Sequence, residues 1–414
     1  MSSRTSVTNS GRAAHGAVLA RRLIQSAALA TVLVGVFLVR GNAERWCPFG
    51  GIEAAYTYLA EGNMPCSLAV SNFYILGALL VLTLFMRRAF CSHLCPIGTI
   101  SEWMRRGARR MGLRGFKTSY AADRYLGLLK YGVLIIILWI TWRAGELLFR
   151  GFDPCYALIS RHGEDITAWA YISGGAILVG SLLVTLPFCR WLCPLAAILQ
   201  PFSRVGLARI RRDHDVCIQC GQCSRVCPAA IPVDRVRDVT TGSCVTCMEC
   251  VAVCPVAEDG AIQWGPPGAR PRRWPSGLVG AAVVLSVIVA VAASYALPAP
   301  SFEYSRGTLP AQTETLEVSV TDLTCRGRSN LLVFFFDRDD IFAIPGYLKI
   351  EAWPAPEKGR LRVTYDPDEA NQEAILEAIT EPYYDLSGDR WHLSPFAVEG
   401  YDPFGEVVPT EETP

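Results

Sequence analysis

Eight cysteines lie between residues 217 and 254, and their spacing restricts what this chain can fold into more than any other feature. The run C-x2-C-x2-C-x3-C-P occurs twice, as Cys217, Cys220, Cys223, Cys227, Pro228 and as Cys244, Cys247, Cys250, Cys254, Pro255. Three thiols in close steps can wrap one centre from a tight loop, and the fourth, followed by a proline, must serve elsewhere. Twelve of the sixteen cysteines fall into four tight local motifs, a pattern of metal or cluster ligation and not of a disulfide scaffold. A zinc module also uses paired C-x2-C steps. The doubled three-step run with proline after each last cysteine argues against it.

The doubled run resembles that of bacterial two-cluster ferredoxins, in which the fourth cysteine of each run serves the other cluster. The resemblance implies two [4Fe–4S] clusters. One would sit on Cys217, Cys220, Cys223 and Cys254, the other on Cys227, Cys244, Cys247 and Cys250. Small neighbours such as Gly221, Ser224, Ala229 and Ala252 leave room for backbone N–H groups to approach sulfur.

The surroundings are apolar. Hydrophobic residues make up 51% of the chain and charged residues 19%. Five segments, near 19–39, 67–86, 125–142, 167–187 and 277–296, approach the roughly 20 residues a helix needs to cross about 30 Å of hydrocarbon. The third could begin near Tyr120, and the first also admits a reading as a cleaved leader with a weak site at Gly41-Asn42-Ala43. With five spans, the arginines flanking the segments fall on one side, which the positive-inside rule makes the cytoplasm of a bacterial inner membrane. Residues 1–296 carry 30 basic and 16 acidic groups, whereas 297–414 carry 9 and 22. The acidic tail then lies outside, in the periplasm or its equivalent. The arginines border apolar runs and form no stripe, which speaks against nucleic acid as a partner.

A repeat of 98 residues relates Phe90-Cys91-Ser92-His93-Leu94-Cys95-Pro96 to Phe188-Cys189-Arg190-Trp191-Leu192-Cys193-Pro194. It suggests two hairpins in a pseudo-symmetric four-helix core. Cys91 with Cys95, and Cys189 with Cys193, are spaced to share a helix face. The four could hold a further Fe–S cluster or another metal, act as redox thiols, or be buried and inert. His93 reads as a polar surface residue. Each copy follows an outer loop with its own cysteine site, Trp46-Cys47-Pro48-Phe49 and Phe152-Asp153-Pro154-Cys155. Cys47 could pair with Cys66, or Gly50 and Gly51 could admit a ring-shaped ligand, which leaves a quinone or flavin open. No span contains a histidine, no C-x-x-C-H occurs and no nucleotide-binding fingerprint is present. These absences exclude intramembrane bis-histidine haem, attached haem, and ATP or NAD chemistry housed in this chain.

The expected organisation is an α-helical membrane protein of about five spans, with a 2[4Fe–4S] ferredoxin-type insert and a C-terminal α+β ferredoxin-like (βαββαβ) domain. It runs as an N-terminal tail (1–18), a membrane core (19–205), a ferredoxin insert (206–268), a fifth span (277–296), a linker (297–315), a soluble domain (316–400) and an acidic tail (401–414). The soluble domain resembles the heavy-metal-associated family, whose site is a C-x-x-C after the first strand. Here only Cys325 matches, and Arg328 stands in the second thiol position. Residues 40–265 resemble membrane polyferredoxins with paired C-x3-C-P motifs: the quinol-oxidising subunit of periplasmic nitrate reduction, the nitrous-oxide reductase maturation protein and the cupric reductase of cytochrome oxidase assembly. That resemblance implies electron transfer between a quinone pool or an outside redox partner and the two cytoplasmic clusters. Copper reduction or delivery is the alternative it leaves open.

Overall fold

The computed structural model describes residues 7–38, 47–61, 67–116, 118–144, 152–154, 167–266, 274–275, 277–297, 300, 302–324, 326–337, 344–355, 358–385 and 390–401. Cys66, Cys155 and Cys325 therefore lie outside the described residues. The chain divides into two units, one of residues 1–50 and 74–293, the other of 51–73 and 294–414.

The helices of the apolar part are, in chain order, α1 (Val7–Phe37), α2 (Gly50–Glu61), α3 (Ser67–Met86), α4 (Ala89–His93), α5 (Pro96–Arg110), α6 (Tyr120–Leu126), α7 (Leu129–Ala144), α8 (Ala168–Leu183), α9 (Pro187–Trp191) and α10 (Pro194–Val205). After the cysteine-rich insert comes α13 (Leu278–Ala296). Among the described residues, three helical stretches are long and apolar enough to cross a membrane: His15–Phe37, Tyr120–Arg143 and Leu278–Ala296. The third expected span thus does begin at Tyr120, where the Ser119 hydroxyl accepts the Ala122 N–H and caps α6. The other two expected segments coincide with shorter apolar helices, Ser71–Met86 and Ala168–Leu183. Sixteen residues reach only about 24 Å at 1.5 Å per residue.

Those two short helices stop because each runs into a C-x3-C-P motif. In the first copy the Leu94 and Cys95 N–H groups both donate to Phe90 O (3.0 and 3.2 Å). In the second, Leu192 and Cys193 donate to Phe188 O (both 2.9 Å). The chain then turns extended at Cys95 (φ −63°, ψ 119°) and at Cys193 (φ −65°, ψ 117°), and proline restarts a helix at its first position. The repeat read in the sequence is a repeat of backbone conformation. The copies interlock: α5 packs on α8, α10 packs on α7, and Ser181 Oγ donates to Ser101 Oγ at 2.8 Å.

The insert is framed by the antiparallel pair β1 (Arg209–Arg212) and β2 (Ile262–Gly265), in register Arg209↔Gly265 to Arg212↔Ile262. Between them lie two short helices, α11 (Gln222–Val226) and α12 (Glu249–Ala252), one in each cysteine run.

The C-terminal unit holds a four-stranded antiparallel sheet of β3 (Phe302–Arg306), β4 (Glu314–Thr321), β5 (Leu348–Trp353) and β6 (Lys358–Tyr365), in spatial order β3-β5-β6-β4. Helices α14 (Arg326–Phe336) and α15 (Gln372–Thr380) complete it, with a small hairpin of β7 (Tyr383–Asp385) and β8 (Arg390–His392). The expected order β-α-β-β-α is present from β4 to α15. The last expected strand, near 390–398, is reduced to β8 and a bridge between Val320 and Val398. The linker expected at 297–315 is not structureless. Phe302, Tyr304 and Arg306 alternate inward, and residues 302–306 add an edge strand to β5.

Candidate metal centre

The two cysteine runs fold alike. Gln219 (φ 55°) and Gly221 (φ 67°) take left-handed conformations on either side of Cys220, and Thr246 (φ 51°) and Met248 (φ 62°) do the same around Cys247. Successive left-handed turns aim backbone N–H groups into a concavity, the arrangement that holds an anionic sulfur centre. Glycine adopts this backbone freely, but threonine, glutamine and methionine adopt it at a cost.

Burial pushes the thiols up, and their electrostatic neighbours sort them into two sets. Cys254 is raised by burial and then by Cys223, Cys220 and Cys217. Cys250 is raised by burial and then by Cys247, Cys227, Cys244 and Cys223. Cys227 is pushed up to about 11 by burial, against the Ile231 and Ala229 N–H groups and with Cys244 beside it. The fourth cysteine of each run therefore faces the other run. Cys227, Cys244, Cys247 and Cys250 line one cavity together with Ile210, Val239 and Met248. Among the described residues no three His, Cys, Asp or Glu side chains converge as they would on one ion. A cubane, in contrast, keeps its four thiolates apart at its corners, so residues and group fit.

The C-x3-C-P cysteines form a third set. Cys189 is raised well above its usual range by burial and then by Cys95, Cys193 and Cys91. Cys95 is pushed up to about 12 by burial and by Cys91, with the Gly98 and Ile97 N–H groups opposing and Cys47 adding to the rise. Cys193 is raised by burial against the Ala196 N–H, with Cys91, Cys95 and Asp153 adding. The thiols of both copies thus influence one another electrostatically, and Cys47 and Asp153 of the expected outer loops add to the rise at Cys95 and Cys193. Arg88 opposes the rise at both Cys91 and Cys189. Its Nε and Nη1 are buried with no hydrogen-bond partner, and Lys130 is buried nearby with Nζ on Arg190 O at 3.3 Å. Buried cations beside four thiols suit a ligand set that becomes anionic when metal binds.

His93 is not a surface residue. It is buried, its Nδ1 lies 2.9 Å from Ala89 O and 2.9 Å from Ser92 Oγ, and burial lowers its pKa to about 4. The short helix α4 turns it inward, toward Arg21 of α1 and Glu102 of α5.

That loop is tied to the first motif by direct hydrogen bonds. Ser92 Oγ donates to Val245 O (2.6 Å), Arg88 Nη2 to Ser243 O (2.8 Å), Arg87 Nη1 to Thr241 O (2.8 Å), and Thr246 Oγ1 to Met86 O (2.9 Å). A second tie comes from α1. Arg21 forks onto Glu102 of α5 (3.0 Å to each oxygen) and reaches Glu249 of α12 at 2.6 Å, while Arg106 joins both carboxylates (2.5 and 3.1 Å). Burial works against the Glu102 charge, but Arg21, Arg106 and Gln25 hold its carboxyl below the usual range. After burial, Arg21 is also the strongest influence on Cys247. Sequence reasoning used Arg21 only to orient the chain. An arginine inside an apolar helix, like Lys130 within its apolar run, was the available signal.

Sequence comparison agrees with this layout. The family described as "4Fe-4S binding domain" matches residues 68–114 and 166–213, one match per C-x3-C-P copy. The "4Fe-4S dicluster domain" family matches 209–255. These residues belong to the membrane polyferredoxins. Among curated relatives, the "Putative electron transport protein YccM" of Escherichia coli is 30% identical over 49% of this chain and 58% of its own length. The "Ferredoxin-type protein NapH" of Haemophilus influenzae is 26% identical over 51% of this chain and 74% of its own. The "Methylamine utilization ferredoxin-type protein MauN" of Methylobacillus flagellatus is 28% identical over 44% of this chain and 60% of its own. No solved structure matches the chain.

Proposed function

We propose that this polyferredoxin carries electrons between a quinone pool, or an extracytoplasmic redox partner, and two [4Fe–4S] clusters on the cytoplasmic side. One cluster is assigned to Cys217, Cys220, Cys223 and Cys254, and the other to Cys227, Cys244, Cys247 and Cys250. Cys91, Cys95, Cys189 and Cys193 are assigned a further cluster or metal between them and the membrane. The observation that supports this reading is the position of that quartet. The 241–247 loop is hydrogen-bonded to its motif, while Cys47 and Asp153 of the loops expected outside adjoin its thiols.

Bound clusters supply reversible one-electron transfer. The protein's part is to hold thiols at fixed spacing, exclude water and set the local charge. Arg21 beside Cys247 and Arg88 beside Cys91 and Cys189 favour the anionic, ligating form of those thiols. Two apolar cavities of about 430 and 250 Å3 flank α8. The larger is lined by Phe152, Phe188, Trp191 and Pro194 beside the second motif, a lining suited to a planar quinone ring. The arginine asymmetry supports a cytoplasmic insert, and the 316–400 domain is read as a βαββαβ module on the opposite side.

Purified chain in detergent, reduced stepwise and followed by EPR and visible absorption, tests the reading. Reducible iron–sulfur signals are expected, and their absence sinks it. A Cys91→Ser, Cys189→Ser variant is expected to keep the signals of the doubled run but lose their reduction by a quinol. Unchanged quinol reduction in that variant removes the quartet from the route.

A further inference from the structure

One large cavity is left unused by electron transfer. It is a groove of about 740 Å3 bounded by residues 105–120, residues 183–190 and the cysteine-bearing loop 221–235. Arg105, Arg109, Arg190, Arg225 and Arg235 line it, against a single carboxylate, Asp234, which the Ser224 hydroxyl already engages. Arg105 is spent on Leu182 O (2.7 Å), and Arg190 on Asp123. Arg109, Arg225 and Arg235 are exposed and have no carboxylate partner among the described residues. Like charges gathered in a concave site repel one another and focus a field that attracts an anion. Arginine at the end of an apolar helix follows from topology alone. Arg225 and Arg235 do not, because they come from the first cysteine run and the turn after it.

The same groove is lined by apolar side chains at helix ends. Tyr120 opens α6 and Leu183 closes α8, and both are about half exposed (47% and 49%). Phe116 beside them is 70% exposed. Unpaired guanidinium groups next to exposed apolar groups at the mouth of a helix bundle match a molecule with a phosphate head and acyl chains. We propose that this groove binds the phosphate head of an anionic membrane phospholipid. Arginine's planar fork pairs with phosphate oxygens in a bidentate way, and basic pockets between helix ends suit such head groups. Cys227 and Pro228 form part of the wall, so the bound head group lies beside a thiol of the doubled run and couples lipid composition to the charge around it.

The test uses the full-length protein reconstituted in phosphatidylcholine alone or mixed with phosphatidylglycerol, with retained lipid counted by native mass spectrometry. The comparison is with an Arg109→Gln, Arg225→Gln, Arg235→Gln variant. Wild type is expected to retain phosphatidylglycerol over phosphatidylcholine, and the variant to lose about ten-fold or more of that retention, since three charge-assisted contacts are removed. Equal flotation of both proteins with neutral vesicles, and equal visible absorption, show that insertion and folding are intact. Equal phosphatidylglycerol retention by the variant overturns the proposal, as does equal retention of phosphatidylcholine by wild type. Inorganic phosphate that shields the groove arginines from phenylglyoxal as well as phosphatidylglycerol vesicles do overturns the lipid reading in favour of a soluble phosphate. Failure of wild type to float strikes the membrane reading itself.

Discussion

The cysteine-bearing insert and the C-terminal sheet are held together by different means. In the sheet unit the core is mainly apolar: Val320, Leu323, Leu332, Phe336, Leu348, Ile350, Leu361, Val363 and Ile375 are all fully buried. Its polar strand residues face out and pair across strands, as Arg362 does with Glu317 and Glu351. The insert instead buries thiols among alanine, valine and isoleucine, with Cys223, Cys247 and Cys250 inside. It shares an apolar core with Leu79, Leu82, Met86 and Val279 of the neighbouring helices, and is tied to them as well by polar contacts of Arg21, Arg87, Arg88 and Glu249. Hydrophobic burial is the main term that stabilises the first arrangement. The second leaves Arg88 Nε and Nη1 and Arg87 Nη2 without hydrogen-bond partners among the described residues, and a bound group would complete it.

The largest expected effect follows from this contrast. Stripping iron with a chelator under reducing conditions should abolish hydrogen-exchange protection across 209–265 and leave β4, β5 and β6 protected. Loss of both regions together, or of neither, would break the comparison. Next comes Arg21→Met, which removes the buried fork on Glu102 and leaves both carboxylates to the half-buried Arg106. Removing one partner of a buried pair costs about 3–5 kcal/mol, read as earlier thermal bleaching of the visible absorption with the sheet unit unmoved. Leu361→Ala should do the reverse, lowering the sheet unit's stability by about 2–5 kcal/mol with the absorption intact.

The two regions should also fail at opposite ends of the pH scale. Glu102 has a depressed folded value, so its stabilisation is present above the unfolded value of about 4.3 and is lost as pH falls through the folded one. Glu102→Gln should remove that acid dependence. Tyr365 is raised, first by burial and then by its hydrogen bond to Glu314 (2.8 Å). Its contribution is complete below the unfolded value of about 10 and is lost as pH rises through the folded one. Tyr365→Phe should flatten the alkaline limb of the sheet unit's unfolding curve. The smallest effect is Asn371→Ala, which removes the cap that accepts the Ala374 N–H at 2.8 Å and costs about 1 kcal/mol.

Local spacing was legible because its consequences are local. Two C-x2-C-x2-C-x3-C-P runs fold into two loops with matching left-handed turns, and two C-x3-C-P motifs end in matching extended cysteines. Helix positions were readable from apolar length, as was the β-α-β-β-α order from alternation. The edge strand 302–306 was missed because proline and threonine around it read as linker, and its pairing with β5 is 40 or more residues away. His93 was misplaced because burial depends on what packs against α4, and α1, which does so, lies far earlier in the chain.

The sequence by itself determined the ligand types, their grouping into runs, the repeat and the apolar helices, since each is set by neighbours within a few residues. Only the tertiary structure decided that thiols from two distant copies lie within electrostatic reach of one another, with Cys47 and Asp153 adding to their surroundings, and that Arg21 fastens α1 to the second cysteine run. Those outcomes depend on buried charge finding a partner in a low-dielectric interior, a condition imposed by the whole packed chain and by no local pattern.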